Sequence, residues 1–264
     1  MKILELSPPY VTPRDVLLPK RDAYGVLHAT DYLPLCDPAE INIATRASFA
    51  GVKVRRVHEA RSLNELRALY AFSFNPYVLD IREQYPVYTQ DAYNRAKLAC
   101  ARMPKSQIMR YDAVLTLVLP PDSHLHYHGV SIKDGTEKFG PRVTRRHQRE
   151  SENFASRGWT WESLLGSQFT KLAYGNHALM QTWVANEDIW CDYDEASILA
   201  TRMLTRSMRG TLHDVLERHA RHLGISLDHA FVLFAVAVSF GFLWIDHSKY
   251  LRVDRPLTLA RWML

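Results

Sequence analysis

The chain has 264 residues, of which 47% are hydrophobic and 23% charged, with a formal net charge of +5. These are ordinary globular values, and three widely spaced cysteines (Cys36, Cys100 and Cys191, with no C-x-x-C pair) argue against a disulfide scaffold and a cysteine zinc site. The mild basic excess suits a polyanionic partner without requiring one.

The amino terminus is apolar only briefly before Pro8-Pro9 and lacks the pattern of a signal peptide, so a cytoplasmic location is expected. The stretch to about Lys53, with its prolines and short turns, reads as an extended arm or covering segment. Ser62-Leu63-Asn64-Glu65 opens a helix carrying Leu66, Leu69, Tyr70 and Phe72, which Asn75-Pro76 ends. Tyr77 to Ile81 then predicts a short strand, and Thr89 to Arg102 an irregular or helical insert. Tyr111 to Leu119 and His124 to Lys133, joined by Pro120-Pro121-Asp122-Ser123, predict a β-hairpin that Asp134-Gly135-Thr136 breaks. Arg145 to Ser156 reads as a basic helix ending at Gly158. Trp159-Thr160-Trp161 begins an extended piece, and Tyr174-Gly175-Asn176 starts a short apolar helix.

Glu187 to Tyr193 reads as an acidic linker. Helices are expected over Glu195 to Arg206, Leu212 to Leu223 and Leu227 to Phe240, then a strand over Phe242 to Ile245 with its return at Lys249 to Val253. Three helices and a small hairpin follow the winged-helix order. The apolar run Ala230 to Ile245 is shorter than the ~18–20 residues of a membrane span, so no membrane association is expected. A boundary near 185–190 divides the chain into 1–186 and 187–264.

The hairpin carries the chemistry. Side chains alternate along strands, and two registers are open: Asp112 opposite Lys133, or opposite Ser131. Either way a carboxylate and an amine meet at the hairpin's open end, and the upstream helix offers a second carboxylate, Glu65. Two carboxylates and a lysine suit phosphodiester hydrolysis: the acids hold a divalent metal, and the lysine positions water and stabilises developing charge. The same residues have plainer uses: Glu65 as half of a capping box, and Asp112 with Lys133 as a cross-strand ion pair.

Asp80-Ile81-Arg82-Glu83-Gln84-Tyr85-Pro86 resembles the D-I-R-E-Q-x-P motif of the TnsA family, endonuclease subunits of heteromeric cut-and-paste transposons. Other segments resemble that family in order: Ser62-Leu63-Asn64-Glu65, Arg110-Tyr111-Asp112-Ala113-Val114, Val130-Ser131-Ile132-Lys133, and Arg157-Gly158-Trp159-Thr160-Trp161 followed by Asn176. Similarity extends to the downstream helices with Gly241-Phe242-Leu243. The resemblance implies an α/β, restriction-endonuclease-like (PD-(D/E)xK) domain over 1–186 and a mainly α, winged-helix-like domain over 187–264. It implies Mg²⁺-dependent nicking of the 5′ ends of a transposon (Mn²⁺ as an alternative metal), beside a TnsB-like transposase. A TnsC-like ATPase would bind the C-terminal domain. Glu65 and Asp112 would be metal ligands and Lys133 the catalytic lysine, with Gln84 and Glu150 in support.

Ser131 departs from the family's usual glutamine, although the neighbouring backbone carbonyl of Ile132 offers another metal ligand; Ser167-Gln168 departs as well. Arg142, Arg145, Arg146 and Arg149 share a helix face that suits DNA phosphates, or else a solvated surface. His124, His126 and His128 alternate onto one strand face with no obvious completing carboxylate or cysteine, and are read as exposed hairpin histidines, or histidines near DNA phosphate, rather than a zinc site. Arg206, Arg209, Arg218 and Arg221 make the second domain basic. Two other functions stand beside the endonuclease: a weakened nuclease-fold adaptor between transposase and ATPase, and a stand-alone defence or repair nuclease.

Overall fold

Ser62 sets the start of the first long helix: its Oγ accepts the Glu65 N–H at 3.1 Å, one of the orphan donors of a helix N-terminus. The computed structural model describes residues 1–35, 46–104, 107–134, 140–260 and 263, with backbone alone at 90, 141 and 142. Cys36 and the break at Gly135-Thr136 therefore lie outside the described residues.

The elements are β1 (Ala47–Ala50), β2 (Val57–Ala60), α1 (Leu63–Ser73), β3 (Val78–Val87), α2 (Gln90–Leu98), β4 (Met109–Leu119) and β5 (His124–Lys133). They continue with α3 (Pro141–Ala155), β6 (Thr160–Leu165), α4 (Lys171–Val184), α5 (Tyr193–Thr205), α6 (Leu212–Leu223) and α7 (Leu227–Phe240). The architecture is mixed α/β. β1 and β2 pair antiparallel, and a four-stranded sheet has the order β3-β4-β5-β6, antiparallel except for parallel β5 and β6. The crossover between those parallel strands contains α3, as parallel pairing requires.

Two apolar clusters cover the two faces of the sheet. Leu66, Leu69 and Phe72 of α1 meet Ile81, Ala113, Leu115, Val130 and Leu164 on one. Phe154 of α3 joins Tyr85, Tyr111, Val114 and Trp159 on the other. Gly129 stands in mid-strand because a Cβ there would lie 2.2 Å from the Phe154 ring. The amino-terminal segment lies against both the sheet and α7: the Tyr32 hydroxyl donates to the Glu83 carbonyl of β3, and the Thr12 N–H to the Phe240 carbonyl of α7.

The third cluster centres on α7, whose residues from Ala230 to Phe240 are all buried. Burial of each large apolar side chain stabilises by roughly 1.5–3 kcal/mol. α4 packs against both α1 and α7, and Met180 and Val184 of α4 join the α7 cluster along with Val52 and Phe74. A helical side chain on each half thus shares one apolar interior. Among the described residues, no single helix is long and apolar enough to cross a membrane.

Two expectations change. The strand expected over Tyr77 to Ile81 runs on to Val87, because its polar residues are buried with partners and do not form a turn. The hairpin expected after α7 does not return at Lys249 to Val253. Instead Ile245 bridges Leu259, with the Asp246 N–H on Thr258 and the Ala260 N–H on Trp244. The 249–251 segment is held elsewhere: the Asn176 amide donates to the Lys249 carbonyl, and the Leu251 N–H donates back to Asn176 Oδ1.

Candidate functional site

The site begins with an irregularity in β3 and β4. Their register runs through Glu83↔Ala113 and Tyr85↔Tyr111, so Gln84 stands opposite Asp112, and neither of the two forms a ladder pair. Gln84 has φ +52°, a left-handed conformation costing a non-glycine residue roughly 1–2 kcal/mol. Both strands change face here. Ile81 on β3 and Ala113, Leu115 and Leu117 on β4 point toward α1, whereas Tyr85, Val87 and Tyr111, also odd-numbered, point toward α3. Simple alternation forbids that. The switch turns Gln84 and Asp112 toward the N-terminus of α1, where Glu65 lies.

The β4–β5 register places Asp112 opposite Ser131, not Lys133. Asp112 Oδ2 accepts the Ile132 N–H at 2.6 Å and the Ser131 hydroxyl at 3.2 Å. An extended residue directs its N–H and C=O to the same side, so the Ile132 carbonyl points the way its N–H does, past the last ladder pair Ala113↔Val130. Among the described residues, Asp112 and Lys133 form no ion pair.

Glu65 is the electrostatic centre. Its carboxyl is pushed up to about 7, first by burial and then by the negative charge of Asp112. The Arg61 N–H, which donates to Glu65 Oε2 at 2.8 Å, opposes the shift, as do the positive charges of Arg61 and Lys133. The capping box is thus half formed: Ser62 caps Glu65, but the Glu65 carboxylate reaches the Arg61 amide. Sequence reasoning missed Arg61. Its Nη1 donates to Gln84 Oε1 at 2.7 Å, and its Nε is buried without a hydrogen-bond partner. Its only sequence signal was its place one residue before the helix cap.

A divalent cation fits this donor set. Two carboxylates repel one another in a partly buried place, and a backbone carbonyl is directed alongside them; a cation relieves that repulsion. Among the described residues, no group of three or more His, Cys, Asp or Glu side chains is arranged to hold a metal, so any ion here depends on the carbonyl and on water or substrate oxygens.

The other predicted residues lie apart. Glu150 is buried on α3, paired with Arg146 at 2.6 Å and acting on Tyr111. Arg145, Arg146 and Arg149 line one open groove, and Arg146 and Arg149 also border Ile108, Met109 and Arg110. The Arg142 side chain lies outside the described residues. His126 and His128 both meet Thr160 Oγ1 at 2.7 Å, and His128 also meets Glu162 Oε1 at 2.9 Å. The expectation of exposed histidines holds for His124 but not for His128, which is fully buried because Thr160 and Glu162, a carboxylate hidden by sequence distance, cover it. Glu162 also accepts the Ile3 N–H, which makes the group a tie between β5, β6 and the amino terminus.

The Asp80–Pro86 segment acts as a hub. Asp80 accepts the Ala29 N–H, Arg82 forms a fully buried pair with Asp22 at 2.6 Å, and the Tyr85 hydroxyl donates to the same Asp22. Burial alone would raise the Glu83 carboxyl, but hydrogen bonds from Arg56 and His58 hold it down to about 2. Each polar side chain fastens one outlying segment to β3, and Gln84 is the one that reaches the acidic pair through Arg61.

Compared with known proteins, the chain matches no protein-family model, and no curated sequence is significantly similar to it. The resemblance to the TnsA family rests on the motifs themselves.

Proposed function

We propose that the chain is a metal-dependent DNA endonuclease of the TnsA type, nicking the 5′ ends of a transposon with a transposase and an ATPase regulator. One observation carries this reading: Glu65 and Asp112, distant in sequence, converge at the open end of the β4–β5 hairpin within the field of Lys133. An Asp-bearing strand, a turn and an x-x-Lys strand lying side by side in a mixed sheet support a restriction-endonuclease-like core. A winged-helix-like C-terminal region and its contact with the ATPase belong to the same proposal.

The chain's own groups have defined tasks. The Ile132 N–H and Ser131 hydroxyl orient the Asp112 carboxylate. Arg61 fixes Glu65 through its amide and Gln84 through its guanidinium. Lys133 offers a cation to the negative charge that develops on the attacked phosphate. Glu65, Asp112 and the Ile132 carbonyl would hold Mg²⁺, which would supply charge neutralisation and lower the pKa of a water. Arg145, Arg146 and Arg149 present positive charge to the DNA backbone.

Ser131 favours one second reading. It spends its hydroxyl on Asp112 where a third ligand would otherwise stand, as a weakened nuclease serving as an adaptor would have it. Calorimetric titration of the full chain with Mn²⁺ separates the two. Binding that Asp112→Ala abolishes supports the endonuclease; no binding by the wild type selects the adaptor.

A further inference from the structure

The far end of β3 borders a second feature that the cutting reaction does not use. Beyond Gln84 the strand continues through Tyr85 to Pro86, roughly 7 Å along at strand rise. There the chain opens into a groove of ≈ 520 Å³ lined by Arg21, Tyr24, Pro86, Tyr88, Tyr93 and Arg157 among others. Among the described residues, none that lines it is acidic.

Its walls are aromatic and cationic together. The Arg157 guanidinium lies over the Tyr24 ring at 4.0 Å and over Trp159 at 5.5 Å, and Tyr24 meets Trp159 edge-on at 5.3 Å. Tyr88 and Tyr93, which also line the groove, stack with centroids 5.7 Å apart. Tyr24 and Tyr93 are 38% and 41% exposed. Aromatic side chains left this open lose apolar burial. Arg21 is held at the rim by its Nη1 bond to the Gly25 carbonyl at 2.6 Å.

We infer that this groove binds an unpaired nucleotide of a nucleic-acid strand, with Tyr24 and Tyr93 as stacking faces and Arg21 and Arg157 as phosphate partners. Every base has a π-face, so tyrosine stacking binds single strands with little sequence preference, and arginines beside the rings add attraction for the backbone. Duplex DNA keeps its bases stacked on each other and offers no free face, so the groove favours a frayed or overhanging end. The inference goes beyond the cutting reaction and holds or fails independently of it, because binding needs no metal.

The test uses the full chain in EDTA, where no cutting occurs. Binding is followed by anisotropy with a single-stranded oligonucleotide containing 2-aminopurine and with a blunt duplex of the same sequence. Stacking in the groove quenches 2-aminopurine. Tyr24→Ala and Tyr93→Ala each weaken the single-stranded probe by about five-fold or more and relieve the quench, while Tyr93→Phe retains both. The duplex changes by less than about two-fold. Both tyrosines are exposed at the surface, so the variants retain the fold, which circular dichroism checks. Unchanged single-strand affinity and quench in both alanine variants would overturn the inference, and so would equal losses on the two probes.

Discussion

Gln84 of β3 stands opposite Asp112 of β4, and at this pair both strands exchange the face they present to the core. The exchange brings Asp112 into the electrostatic field of Glu65.

Glu65 makes stability depend on pH in an unusual direction for an acid. Its folded value is about 7 against an ordinary 4.5. A raised carboxyl favours the folded state fully below the unfolded value, and that contribution is lost as pH rises from about 4.5 through 7. The loss is on the order of 3 kcal/mol for this mostly buried group. Thermal melts of the metal-free protein at pH 5 and pH 8 measure it. Glu65→Gln flattens the difference, whereas a difference unchanged by Glu65→Gln contradicts the assignment.

The same repulsion predicts how metal acts. Mg²⁺ or Mn²⁺ raises the melting temperature more at pH 8, where Glu65 is ionised, than at pH 6, where a proton competes for it. Equal stabilisation at both pH values, or stabilisation that persists in Asp112→Ala, places the ion elsewhere.

Arg61 positions both Gln84 and Glu65. Arg61→Ala removes a positive charge from beside Glu65 and releases Gln84, so the acid limb of the pH–rate profile moves to higher pH and cutting falls by roughly ten-fold. Arg61→Lys keeps the charge and restores the limb but not the Gln84 bond. A fall in rate with an unmoved pH profile would mean that Arg61 serves the fold alone.

Glu83 tests the hub. It is almost wholly buried against Arg56 and His58, so Glu83→Ala strands a buried guanidinium and costs roughly 3–5 kcal/mol. Urea unfolding reads this directly; a loss below about 1 kcal/mol would show that Arg56 finds water or another partner.

Much of this fold was legible because its signals are local. α6 and α7 run where apolar periodicity placed them, over Leu212 to Leu223 and Leu227 to Phe240, because Gly224, Ser226 and Gly241 mark their ends locally. The hairpin followed from its β-branched runs and its four-residue turn. The illegible parts depend on distant partners. Arg82-Glu83-Gln84 looks too polar for a buried strand until Asp22, Arg56 and Arg61 are placed beside it. A left-handed glutamine carries no sequence mark, so the face switch was hidden, and with it the true geometry of Asp112. The return at Leu259 was missed because Asn176, far away in sequence, holds the nearer segment.

The central claim is tested most directly by nicking of a labelled transposon-end DNA in Mg²⁺ or Mn²⁺, with the cognate transposase and ATPase present, comparing wild type with Asp112→Ala. The account predicts a metal-dependent cut at the 5′ end that falls at least about 100-fold in the variant. Undiminished cutting by Asp112→Ala would contradict the centre, and a wild type that assembles with its partners yet leaves the 5′ end intact would contradict the nuclease.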